Sequence, residues 1–137
     1  LELRDVDVVN LIRKLAEKVE THEVYYNLRL MRLKYIHSPT VEYVKLCIAM
    51  ESMGLTITVS LMTALTGKNP HTILQILHRL GDNNILLLRK FKRGHTLVYT
   101  LNPAFKMHLE NRGILSRLQE HLKELTGEAE VKPSVAA

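Results

Sequence analysis

The chain has 137 residues, 19 Lys and Arg against 14 Asp and Glu, a formal net charge of +5, and 46% hydrophobic residues. That length fits one domain, the apolar fraction excludes a disordered basic tail, and the single cysteine, Cys47, excludes a disulfide framework or a cysteine-rich zinc site. No apolar run approaches the roughly 18 residues of a membrane span, and no signal-peptide pattern is visible.

Residues 5–20 read as an amphipathic helix, with Val8, Ile12, Leu15 and Val19 every three to four residues and charges between them. The spacing resumes with Tyr26, Leu30 and Leu33, as one long helix or as two with a break near Thr21–Glu23. Three pairs then place a capping side chain before a proline: Ser38-Pro39, Asn69-Pro70 and Asn102-Pro103. A Ser or Asn oxygen accepts an orphan N–H at a helix start, and proline lacks only a donor that would have no partner there. The first pair opens a helix over about 39–52 ending near Gly54, with Cys47 as a buried structural thiol. A short helix follows over Thr58–Thr66 with Gly67 as its stop, and the second pair opens a helix to Leu80, with Gly81 after it. The apolar run Ile85–Leu88 and the alternating stretch Thr96–Leu101 read as two strands of a hairpin turning at Gly94. The third pair opens a last helical region to about Leu125, with Gly113 as a candidate break and residues 126–137 as a flexible tail.

The charge is not spread evenly over these elements. Residues 68–101 hold six Lys and Arg (Lys68, Arg79, Arg89, Lys90, Lys92, Arg93) against one acid, Asp82, whereas the other segments nearly cancel. A surface polarised in this way suits a polyanion. At roughly 100° per residue, Ile73, Ile76, Leu77 and Leu80 share one arc of the helix after Asn69. His71, Thr72, Gln75, His78 and Arg79 take the opposite side, with Leu74 on the flank, and residues 68–81 contain no acid.

The order helix, short helix, tight turn, helix, hairpin, helix, carried by TVSLMTALTG, NPHTILQILHRLG and ILLLRKFKRGHTLVYTLNP, resembles the winged helix-turn-helix DNA-binding family across about residues 39–112. The resemblance implies a mostly helical α+β fold with a small β-hairpin, in which residues 38–112 form the winged domain. Residues 1–37 are then an N-terminal helical extension and 113–125 a C-terminal helix. It implies double-stranded DNA as partner; no enzymatic activity or cofactor is expected, because no paired carboxylates, Ser/His/Asp arrangement, Gly-rich phosphate loop or metal cluster stands out, although fold alone never excludes activity. The helix over 70–80 would enter a major groove about 12 Å wide. Gln75 suits adenine, Arg79 guanine or a phosphate, and Thr72 a thymine methyl or a phosphate. Lys68, Asn69 and the helix N-terminus suit a phosphate, and His71 and His78 lie on the same face. The hairpin bases Arg89, Lys90, Lys92 and Arg93, with His95, would neutralise backbone charge or reach the minor groove.

None of the seven histidines forms a ligand spacing with Cys or a carboxylate, so no metal site is expected. The flanking stripes Val8, Ile12, Leu15, Val19 and Leu115, Leu118, Leu122, Leu125 can pack on each other or across a two-fold axis. Such regulators commonly dimerise through flanking helices, so the resemblance implies a homodimer reading a palindrome. The expected compartment is the cytoplasm, with nucleoid association. Two functions remain open: a dimeric transcriptional regulator, or a winged-helix protein-interaction module in a replication, transcription or membrane-remodelling assembly.

Overall fold

The computed structural model describes residues 5–33, 35–90 and 97–136. Helix α1 (Asp5–Glu17) and helix α2 (Thr21–Leu30) are separate, the break falling just before Thr21. Helix α3 (Ser38–Ser52) follows, and its buried residues include Val41, Val44, Cys47, Ile48, Ala49 and Met50, which lie on several sides of the helix. A helix apolar around most of its circumference belongs in the middle of a core, and α3 packs on α1 and α2. Cys47 is fully buried, and desolvation, with a smaller contribution from Glu51, pushes its thiol up to about 12. This thiol is a packing group and not a nucleophile.

The start of α3 corrects one expectation. Ser38 is already helical, His37 stands at the cap position without a side-chain hydrogen bond, and Pro39 lies inside the first turn. Proline is as harmless there as one position earlier, because the first-turn N–H groups have no helical acceptor. The end of α3 is a left-handed Gly54 (φ 73°), with the Leu55 N–H donating to the Met50 carbonyl at 2.9 Å.

Strand β1 (Ile57–Thr58) was not expected; the sequence reading began a helix at Thr58. The available signal is Thr56-Ile57-Thr58-Val59, four consecutive β-branched residues. Thr58 serves both elements, since its Oγ1 accepts the Leu61 N–H at 3.1 Å and caps helix α4 (Val59–Thr66). Gly67 (φ 73°) ends α4, and helix α5 (Pro70–Asp82) begins three residues later. Gly81 does not stop α5. The stop is Asn83-Asn84, with Asn84 left-handed at φ 63° and the Ile85 N–H donating to the Leu80 carbonyl at 2.9 Å. Asparagine tolerates that conformation, which the sequence reading had looked for only at glycine.

Strands β2 (Leu86–Lys90) and β3 (Leu97–Leu101) pair antiparallel, with Leu86 opposite Leu101, Leu88 opposite Tyr99 and Lys90 opposite Leu97. Strand β1 adds to the other edge of β3, Ile57 opposite Tyr99, so the sheet order is β1-β3-β2. Tyr99 is buried beneath the hairpin, and burial, then the Asp82 charge, raises its hydroxyl above the ordinary tyrosine value. Helix α6 (Pro103–Asn111) is capped by Asn102, whose Oδ1 accepts the Ala104 N–H at 2.9 Å. Gly113 (φ 70°) separates it from helix α7 (Ile114–Ala136), which also packs on α3, as does β3. Helix α7 continues past Leu125, where a tail was expected. Leu122 and Leu125 pack partly on the core, and the Thr126 hydroxyl donates back to the Leu122 carbonyl at 2.8 Å. The fold is thus mostly helical with a small antiparallel sheet.

The flanking helices belong to the same core. Ile12, Leu15, Val19 and Leu118 are at most 3% exposed within a single chain. These four, expected on a dimer face, are therefore consumed by intramolecular packing. The remaining four, Val8, Leu115, Leu122 and Leu125, are half-buried. Arg13 of α1 donates to the carbonyls of Ala64 and Leu65 at 3.2 and 3.1 Å, satisfying the end of α4. Glu23 of α2 accepts two bonds from Arg112, at 3.0 Å from Nε and 2.7 Å from Nη2, and that guanidinium lies 4.5 Å from the Tyr26 ring centroid. The Arg112 bonds hold the Glu23 carboxyl below the usual carboxylate range, although burial opposes them.

Two outcomes follow from this packing. Leu15→Ala should destabilise the protein by about 3 kcal/mol, by an amount independent of protein concentration in urea titrations; a concentration-dependent loss would return Leu15 to a dimer face. A carboxylate with a depressed folded pKa stabilises the fold above its unfolded pKa and loses that contribution as pH falls through the folded value. Arg112→Met should therefore lower the melting temperature near neutral pH, and the gap to the parent should close toward about pH 2.

Candidate nucleic-acid interface

Helix α5 is anchored from one side only. Ile73, Leu77 and Leu80 are buried, while His71, Gln75, His78 and Arg79 are exposed. Thr72, Leu74 and Ile76 are half-buried, so the expected four-residue core arc is three residues deep with Ile76 at its margin. The Gln75 amide nitrogen lies 3.3 Å from His71 Nε2, so these two side chains form one polar step along the exposed face.

The approach to the helix is fixed by backbone geometry. Gly67 takes the left-handed conformation and its N–H donates to the Thr63 carbonyl at 2.8 Å. The Lys68 N–H donates to the Thr66 hydroxyl at 3.2 Å, which leaves the Lys68 side chain exposed. Asn69 is reassigned in part. Its Oδ1 accepts the Thr72 N–H at 2.8 Å, so this oxygen, expected at a phosphate, holds the helix start.

The hairpin bases do not form one group. Arg89 pairs with Val98 and is exposed, one residue out of phase with Leu88 and Tyr99. Successive strand side chains alternate faces. The Tyr99 face is the one packed on α5, where a Cβ at Gly81 would lie 3.9 Å from the Tyr99 ring. Arg89 therefore leaves the sheet on the side away from α5. Lys90 has its register opposite Leu97. The contacts expected of the Lys90 side chain, Lys92, Arg93 and His95 lie outside the described residues.

Three cations elsewhere in the fold are held in ion pairs. Lys45 lies 3.6 Å from Glu42, Lys106 lies 3.5 Å from Glu51, and Arg112 lies 2.7 Å from Glu23. Among the described residues no ion pair includes Lys68, Arg79 or Arg89. Cations without internal partners keep their full electrostatic reach for an external anion. Among the described residues, no group of three or more His, Cys, Asp or Glu is placed to hold a metal ion, and no helix is long and apolar enough to cross a membrane.

The sequence reading missed what borders Arg79. A groove of about 440 Å³ runs between α5, the start of α3 and the segment before it, and its walls include Tyr35, His37, Tyr43 and Arg79. The only signal was the basic and aromatic stretch from Tyr25 to Tyr35, whose parts the fold separates. Arg29 lies 5.8 Å from the Tyr25 ring centroid on α2, Tyr26 lies under Arg112, and of the stretch's described basic and aromatic residues Tyr35 is the one that lines the groove.

Neither a family model, nor a curated protein, nor a solved structure matches this chain.

The cap assignment of Asn69 is open to measurement. Asn69→Ala should lower stability by about 1 kcal/mol, read from urea denaturation, whereas Asn69→Asp should retain most of it. A stability loss below about 0.3 kcal/mol for the alanine variant would remove the cap role.

Proposed function

We propose that the chain is a winged helix-turn-helix protein that binds duplex DNA as a transcriptional regulator, reading bases with α5 and holding phosphates with Lys68 and the hairpin. One observation carries this reading: the exposed face of α5 holds His71, Gln75, His78 and Arg79, with its one acid, Asp82, confined to the last residue of the helix, and Lys68 and Arg79 make no ion pair among the described residues. The element order α3-α4-α5, then β2 and β3 as a hairpin, then α6, supports it, being the order on which the resemblance rests.

In this reading the apolar side of α5 holds the helix rigidly while its polar side enters the major groove. Gln75 is the adenine-reading side chain, and Arg79 contacts guanine or a phosphate. Lys92 and Arg93, between the two strands in sequence, add backbone contacts that release counterions. Dimerisation belongs to the same proposal and now falls to Val8, Leu115, Leu122 and Leu125, the flanking positions that keep partial exposure.

A second reading, a protein-interaction module, draws on different residues. Tyr26 and Leu30 are 44% and 42% exposed one turn apart on α2, and Met107 is 52% exposed on α6, which packs on α2. Exposed apolar side chains on adjacent elements are the usual mark of a protein contact.

Titration of a random-sequence duplex at several salt concentrations decides between them. Affinity should fall linearly on logarithmic axes, and Lys68→Ala should flatten the slope by about one counterion. Gln75→Ala should cost about 1–3 kcal/mol on a selected site and far less on random DNA. Absence of DNA binding at low salt would sink the proposal, and a monomeric mass in sedimentation would sink its dimeric part.

A further inference from the structure

We propose that the groove beside α5 is a binding site for a small aromatic carboxylate, whose carboxylate pairs with Arg79 and so withdraws that guanidinium from DNA. The effect on DNA rests on the function proposed above; the binding itself does not.

The groove measures about 440 Å³, within the range of small-ligand sites. Its apolar part comes from Leu33, Ile76 and Leu80, which suits a flat hydrocarbon body. Two tyrosines flank it in contrasting states. Tyr35 is 84% exposed, and an aromatic guest gives its ring a stacking surface. Tyr43 is only 9% exposed, so its ring is a fixed wall against which a flat guest packs.

Charge specifies the polar end of the guest. Among the described residues no carboxylate lines the groove, and Arg79 is the one permanently charged cation on its wall. Arg79 makes no ion pair among the described residues, and a guanidinium matches a carboxylate in bidentate geometry. An anion with an aromatic body is thus the complement of the lining. Because Arg79 belongs both to this wall and to the exposed face of α5, one guanidinium is shared between guest and DNA. Sharing a residue in this way makes the two ligands mutually weakening, reciprocally in each direction.

The test uses 2-naphthoate as probe and the neutral 2-naphthamide as control, by calorimetry and by amide shifts on the full chain. Naphthoate should bind saturably with Kd below about 1 mM, with shifts centred on Tyr35, Ile76 and Arg79. Arg79→Gln and the amide probe should each weaken binding about tenfold, by loss of charge-assisted hydrogen bonds. Lys123→Gln, exposed on α7, should leave it unchanged. No saturable binding, or equal affinity in Arg79→Gln, overturns the site whatever the DNA result. Saturating naphthoate should also weaken DNA binding, and Arg79→Gln should abolish that effect. DNA binding indifferent to bound naphthoate overturns the coupling, whereas a protein that binds naphthoate but no DNA retains the site and loses the earlier function.

Discussion

The burial of α3 on several of its sides is the constraint from which the rest of the structure follows. Helices α1, α2 and α7 and strands β1 and β3 all pack on it. Val44, Cys47, Ile48, Ala49 and Met50 contribute no exposed surface. Dense packing around one rod leaves little freedom in how the surrounding elements are tilted. The flanking helices are therefore structural walls of one core, and α1 also supplies Arg13 to the carbonyls that end α4. The bidentate pair of the buried Glu23 carboxylate with the exposed Arg112 guanidinium ties α2 to the end of α6.

Against this frame α5 is held by three buried side chains, a proline-and-asparagine start and an asparagine stop. Each device consumes a polar group that would otherwise compete for the exposed face. Asn69 spends its oxygen on the backbone, and the Asn83 amide donates to the Arg79 carbonyl. What remains outward is His71, Gln75, His78 and the Arg79 guanidinium, with Asp82 at the helix end, and among the described residues Arg79 is in no ion pair. The same side chain closes the aromatic groove, so the polar face and the groove meet at one residue.

Much of the local structure was legible because its causes are local. Asn69-Pro70 and Asn102-Pro103 mark helix starts to the residue, and Gly67 marks a helix end, since capping and left-handed backbone depend on neighbours in sequence. Strand β1 was less legible: two residues are too few for an alternating pattern, and Thr58 also caps α4. The left-handed Asn84 escaped for a related reason, because Gly81 offered a more familiar stop only a few residues earlier.

By itself the sequence determined the helix and hairpin order, the apolar side of α5 and the concentration of positive charge over residues 68–101, all of them properties of periodicity and composition. Only the tertiary structure decided which apolar stripes were free. Ile12, Leu15, Val19 and Leu118 look equally suited to a neighbour helix or a second subunit, and burial against α3 and its surroundings settles where they go. It likewise decided that Arg89 leaves the sheet on the side away from α5, which follows from strand register, and that Tyr35, Tyr43 and Arg79 share one groove. Contacts between residues far apart in the chain depend on how the elements stack, and no local pattern encodes them.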